Sequence, residues 1–231
     1  MTVNVKENAA VIKDSIERAC SKVERDPAEV TTIAVTKYVS TERAREAIEA
    51  GIVNLGENRK EGFLEKYSRI GDEARWHFIG SLQSRKVKDV IGQMDVLHSL
   101  DRKSLAKEID KRAETAVSCF VQVNISGEDS KHGLETEDVL PFIRMLEDYP
   151  KVRVVGLMTM APHIEDEEKL RAIFRQLRAL RDKVRNENMA HAPCEYLSMG
   201  MSNDYTVAIE EGATHIRIGT SLVGNETYGG E

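Results

Sequence analysis

The chain has 231 residues, 41% of them hydrophobic, 31% charged and only 5% aromatic, a make-up that fits one soluble globular domain and excludes a disordered or fibrous chain. Its formal net charge of -6 lacks the basic excess that a phosphate-backbone footprint needs, so no nucleic acid is expected as a partner. Met1 to Lys13 contains no continuous apolar run, so neither a secretory leader nor a membrane span is expected there, and the reading is a cytoplasmic protein without a membrane partner.

An amphipathic helix opens the chain at about residues 5 to 25, with Val5, Ala9, Ile12, Ile16, Ala19, Cys20 and Val23 at helical spacing. After it, two patterns alternate. Strand-like runs fall at Thr31 to Lys37, Ile52 to Leu55, Trp76 to Ile79, Asp95 to Ser99, Ser118 to Ile125, Val152 to Met158, Glu195 to Ser198 and His215 to Ile218. Helical stretches at 41–50, 59–67, 85–91, 102–114, 136–146, 165–186 and 204–210 separate them. Eight strands and seven intervening helices match an α/β fold of the (β/α)8 TIM-barrel type: a single domain over 1–231, with the extra N-terminal helix at 1–25, the barrel at 31–220 and a tail at 226–231. A doubly wound open sheet gives the same alternation. No G-x-G-x-x-G follows the first strand and no G-x-x-x-x-G-K-[ST] occurs, which weakens dinucleotide and nucleoside-triphosphate readings. Cys20, Cys119 and Cys194 are odd in number and widely spaced, so they read as reduced, buried residues and not as a zinc site or redox pair.

On a barrel, residues after each strand face one mouth, where active sites are built. Lys37 follows the first strand, Glu57 and Asn58 the second, and His77 and Ser81 flank the end of the third. A lysine at a buried strand end can be desolvated, leaving a neutral amine able to attack an aldehyde; taken alone, it reads first as a lysine snorkelling out of the sheet. The segments Leu197-Ser198-Met199-Gly200-Met201-Ser202 and Arg217-Ile218-Gly219-Thr220 fall where barrels commonly bind phosphate, after strands seven and eight. Gly200 and Gly219 would admit the anion, and Ser198 and Thr220 would donate hydroxyl hydrogen bonds. An amine on one side and an anion site on the other suit an aldehyde-bearing phosphorylated cofactor, a description that pyridoxal 5'-phosphate (PLP) meets. His77 reads as a hydrogen-bonded residue beneath the mouth, His191 as a loop residue without matching metal ligands, and the acidic run Glu165 to Glu168 as a helix start.

At these residues the chain resembles a known family, the pyridoxal phosphate homeostasis proteins (YggS/PROSC-like), which share a barrel with alanine racemase and other PLP enzymes of fold type III. The resemblance runs nearly end to end. It is carried by Ala34-Val35-Thr36-Lys37, Gly56-Glu57-Asn58, the run from Trp76-His77-Phe78-Ile79-Gly80-Ser81 to Lys86, Val123-Asn124-Ile125-Ser126, Ser130-Lys131-His132-Gly133, Gly156-Leu157-Met158 and the two segments after strands seven and eight. It implies that Lys37 holds PLP as an internal aldimine, that Ser198, Met199, Gly200, Gly219 and Thr220 surround the phosphate, and that Asn58 lies beside the ring. Arg217 would sit near the pyridine nitrogen or the phosphate. Lys131 would touch a second PLP or help in transfer, or is a solvated loop lysine.

The family resemblance further implies PLP (vitamin B6) and amino-acid homeostasis by a monomer, with PLP-dependent apoenzymes as recipients. Racemases of this barrel carry a second domain that supplies a tyrosine acid/base, whereas the sequence stops at Glu231; a racemase needs an acid/base on each face. The expectation is therefore a binder without efficient catalysis and without a confident catalytic residue. A weak PLP-dependent amino-acid enzyme, such as a racemase, is the alternative, and a metal- or phosphosugar-dependent barrel a third reading, although no metal site is expected.

Overall fold

Each apolar run read as a strand finds parallel partners on both sides. The computed structural model describes residues 3–127, 132–162, 164 and 166–226. Its strands are β1 (Thr31–Val35), β2 (Asn54–Glu57), β3 (Arg75–Phe78), β4 (Val96–Leu100), β5 (Val117–Gln122), β6 (Val152–Met158), β7 (Tyr196–Met201) and β8 (His215–Ile218). They form a closed barrel in sequence order. Closure is visible in the register of β1: it pairs with β2 at Ile33 opposite Asn54, and with β8 at Thr31 opposite His215. The open-sheet alternative is thereby excluded. Strands covered on both faces need not alternate apolar and polar residues, which is why β4, Val-Leu-His-Ser-Leu, is buried throughout.

Among the described residues eight α-helices follow the strands: α2 (Thr41–Glu49), α3 (Lys60–Ile70), α4 (Val87–Val90), α5 (Lys103–Arg112), α6 (Thr136–Met145), α7 (Glu167–Arg185), α8 (Tyr205–Glu210) and α9 (Thr220–Val223). The opening helix α1 (Val5–Ser21) begins at Asn4, whose side chain accepts from the Glu7 backbone N–H, the usual way to satisfy one orphan donor of a first turn. It buries Val5, Ala9, Ile12, Ile16, Ala19 and Cys20 and packs against α2, α8 and α9. It stops short of the expected end at 25, and Val23 is exposed beyond it. At α7 the acidic start acts as read: Asp166 caps the helix by accepting from the Lys169 backbone N–H. Its expected first residue, Glu165, lies outside the described residues. Cys20, Cys119 and Cys194 are free and buried. Burial pushes the thiols of Cys119 and Cys194 up to about 12.

Two boundaries differ in ways that matter for the mouth. The first strand ends at Val35, so Thr36 and Lys37 lie in the turn before α2. The seventh was expected to end at Ser198 but continues to Met201, so Ser198, Met199 and Gly200 are strand residues and not the loop they resemble. The β7–β8 ladder shifts register between Ser198 and Met201, and Gly200 sits there with φ +94. A glycine inside a strand often marks such an irregularity, and its sequence signal is the same as that of a turn. A Cβ at Gly200 would also come 2.7 Å from the Ala208 Cβ, so glycine lets α8 pack against β7.

Candidate functional site

A cavity of about 820 Å³ opens at the C-terminal end of the barrel, the end where βα loops gather functional groups. Lys37, Asn58, Arg217, Gly219 and Thr220 line it together. Lys37 is solvent-exposed there, which corrects the expectation of a desolvated amine: with the strand ending at Val35, the side chain stands on a turn above the sheet. Its Nζ lies 4.7 Å from the centre of the Tyr38 ring, a cation–π contact that a sequence pattern does not reveal.

The backbone beneath Lys37 is fixed from behind. Thr36 is fully buried and its hydroxyl donates to Glu57 Oε1 at 2.7 Å. Glu57, read as a mouth residue, is the last residue of β2 and is also buried, with Lys66 Nζ of α3 at 3.0 Å from the same oxygen. Its carboxylate therefore joins β1, β2 and α3 below the cavity. Asn58 follows it and is half-buried on the cavity wall. The loop after β3 presses on it closely: a Cβ at Gly80 would lie 2.3 Å from the Asn58 carbonyl oxygen, so only glycine lets these two loops meet.

The segment read as an anion site after strand seven sits deeper than expected. Ser198, Met199 and Gly200 do not line the cavity; Met201, Ser202, Asn203 and Asp204 do. Ser198 is fully buried, its hydroxyl 2.8 Å from His98 Nδ1 and accepting from Arg217 Nη1 at 2.6 Å, while Met199 is core. Ser202 lines the cavity instead, its hydroxyl accepting from the Gly219 backbone N–H at 3.3 Å. Ser202 was visible in the Ser-Met-Gly-Met-Ser run, and Met160, whose sequence reading is barrel-mouth packing, lines the cavity; Tyr38 and Asn203, also on its wall, carried no signal. Lys131 lies outside the described residues.

Arg217 reaches the cavity from β8 while only 5% exposed. Nη2 donates to the Thr159 carbonyl at 2.9 Å, beside the Ser198 contact. Burial draws its pKa down to about 10, against the favourable charge of Asp204, so it still holds its proton at neutral pH. His77 is hydrogen-bonded within the barrel, as expected, and His191 Nε2 lies 2.9 Å from the Ile143 carbonyl. Among the described residues no group of three or more His, Cys, Asp and Glu could hold a metal ion. The cavity thus offers a primary amine that can condense with a carbonyl, together with hydroxyls, a loop backbone and a guanidinium that can hold an anion.

Comparison with known proteins agrees with this chemistry. The family model for the alanine racemase N-terminal domain matches residues 5–227. A pyridoxal phosphate homeostasis protein of Aquifex aeolicus is 41% identical over 230 residues, covering 98% of this chain and 100% of the relative. PipY of Synechococcus elongatus, solved with PLP bound, superposes with a TM-score of 0.79 at 32% identity, over 91% of this chain and 100% of that one. Alanine racemase of Clostridium difficile shares the fold, with a TM-score of 0.77 at 14% identity, over 98% of this chain and 58% of the racemase. The chain belongs to the pyridoxal phosphate homeostasis protein family, built on the alanine racemase N-terminal barrel.

Proposed function

We propose that this protein binds PLP through Lys37 and takes part in intracellular PLP and amino-acid homeostasis. The observation that carries the reading is the meeting, in one cavity, of an exposed primary amine with Ser202, Gly219, Thr220 and Arg217. This donor set fits the cofactor: an amine for its aldehyde, and hydroxyls with a loop backbone for its phosphate. When bound, PLP supplies the aldehyde that the lysine captures and a ring able to take up electron density.

The chain's own residues bias the site toward holding over transforming. Lys37 is the covalent anchor, on a turn braced by Thr36, Glu57 and Lys66. Ser202, Gly219 and Thr220 bind the phosphate, with Met199 and Gly200 acting from within β7, where they set the path of the following loop. Asn58 walls the ring. Arg217 keeps its proton at neutral pH, so facing a ring nitrogen it would leave that nitrogen unprotonated and the ring a weak electron sink. That favours a carrier, with PLP-dependent apoenzymes as recipients and Lys131 as a transfer contact.

A cytoplasmic monomer accords with two features. No described helix is long and apolar enough to cross a membrane. Of the large exposed apolar residues among those described, Tyr38 and Met160 line the mouth cavity, while Val11 on α1, Val23 beyond it, Val53 before β2 and Tyr196 at the start of β7 come from separate segments.

The test is the absorbance spectrum of the purified protein and of Lys37→Ala, each supplied with PLP and then treated with borohydride. A visible band in the parent alone, converted by reduction into a permanent adduct that peptide mapping places at Lys37, is the expected result. No band in the parent would overturn the reading. Turnover of any amino acid at about one per second or faster, lost in Lys37→Ala, would replace the carrier with an enzyme.

A further inference from the structure

The barrel interior carries a polar chain that PLP binding does not itself require. His77 Nδ1 and His98 Nε2 are 2.9 Å apart, His77 Nε2 is 3.0 Å from Asn54 Oδ1, His98 Nδ1 is 2.8 Å from the Ser198 hydroxyl, and Arg217 Nη1 is 2.6 Å from the same hydroxyl. Both histidines are buried, at 1% and 0% exposure. Asn54 starts β2 and lines a pocket at the barrel floor with Ile12 and Ile16 of α1, whereas Arg217 lines the cavity at the mouth. Five side chains therefore connect the two ends of the barrel.

Donor and acceptor chemistry gives the chain one direction. Burial is the main reason that both rings titrate well below the ordinary histidine value, with His215 and Arg75 acting further on His77, and His77, His215 and Arg217 on His98; each is therefore neutral, with one donor and one acceptor nitrogen. The Asn54 oxygen only accepts, so His77 Nε2 carries its proton and His77 Nδ1 accepts from His98 Nε2. His98 Nδ1 then accepts from the Ser198 hydroxyl, whose oxygen accepts from Arg217. Every donor finds one acceptor. The stacking of His98 on Phe120, with centroids 4.5 Å apart, fixes the plane in which its two nitrogens point.

We infer that His98, backed by His77 and Asn54, is a positioning residue for Arg217: the one-way chain Arg217 to Ser198 to His98 to His77 to Asn54 sets how the guanidinium is presented to the cofactor. The proposal rests on PLP occupying the mouth cavity, but the chain itself exists without it. Ser198 thus has a role different from phosphate binding. It is the link through which the barrel interior orients a guanidinium that lines the cavity.

The experiment combines two readouts on the parent, His98→Phe and His98→Gln. The first is side-chain nitrogen NMR of the PLP-free protein: Nε2–H tautomers on His77 and His98 and separate, slowly averaging Arg217 Nη signals are expected in the parent. His98→Phe should average the Arg217 signals, and His98→Gln, which keeps a donor and an acceptor, should restore them. The second is the PLP dissociation constant, expected to weaken about tenfold in His98→Phe, as for a loosened hydrogen bond to a charged group, and to recover in His98→Gln. An Nδ1–H tautomer on either ring, or Arg217 signals indifferent to His98→Phe, would overturn the chain. Unchanged PLP affinity with averaged Arg217 signals would overturn its role toward the cofactor. If His98→Phe does not fold, the parent tautomers and the same readouts on Ser198→Ala decide. A parent that takes up no PLP would sink the functional reading, leaving the spectra to judge the chain.

Discussion

Lys66 and Arg217 are both cations buried to about 5% exposure, yet the barrel treats them differently. Lys66 stands 3.0 Å from the Glu57 carboxylate, an anion that cancels its charge on the spot. Arg217 gives its hydrogen bonds to a neutral hydroxyl and a neutral carbonyl, with Asp204 contributing its charge to the surroundings. The first cation is matched to the protein and serves the fold. The second is oriented by neutral oxygens, so its charge is still felt in the cavity it lines.

The sharpest way to break this contrast is Glu57→Ala, which strands the Lys66 ammonium. We expect about 3–5 kcal/mol of lost stability in urea denaturation. The double change Glu57→Ala with Lys66→Met should recover most of it, and a single change costing under about 1 kcal/mol would show that the pair is not acting as an ion pair.

Acid should act next most strongly, through the interior histidines near Arg217. Their folded pKa values are depressed, His215's to about 4, by burial and then by Arg75 and Arg217. A depressed value means that the unfolded chain binds more protons at intermediate pH, so stability is complete above about 6.5 and falls as pH drops toward 4. His215 alone accounts for about 3 kcal/mol over that window, with His77 and His98 acting in the same direction. Equal denaturation midpoints at pH 7 and pH 5 would refute it.

Arg217→Met sharpens the contrast from the other side. It should cost only about 1–2 kcal/mol of stability, from the two oxygens left without a donor, but weaken PLP binding tenfold or more in an equilibrium titration. The smallest effect is expected at Tyr38, which faces solvent. Tyr38→Ala should change stability by less than about 0.5 kcal/mol and, by freeing the Lys37 amine, alter the rate of PLP uptake in stopped-flow absorbance. Tyr38→Phe, which keeps the ring, should not.

The fold was legible because the two periods alternate through most of the chain, and the closed barrel is the topology that eight such strands suggested. The site was legible where a residue follows a strand directly: Lys37, Asn58, Gly219 and Thr220 all reach the cavity. It was misread where glycine has two meanings. Gly200 looked like the turn after strand seven, but it is an irregularity within β7, and the loop on the cavity begins near Met201. Of the interior chain only His77 was legible, as a hydrogen-bonded residue; its partners were not, since the hydrogen bonds join residues 21, 23, 100 and 19 positions apart in sequence and only closure brings them together. The Lys66–Glu57 pair was hidden because a lysine on a helix reads as solvated.

The three buried thiols have a practical consequence. They sit at separate places: Cys20 near the end of α1, Cys119 within β5, and Cys194 in the segment entering β7. With their ionisation suppressed by burial, none is nucleophilic while its surroundings stay closed. Each becomes a clock for the opening of its own segment, so pulse alkylation read by peptide would time the loosening of the outer helix, the barrel wall and the β7 approach separately, without adding a label to the chain.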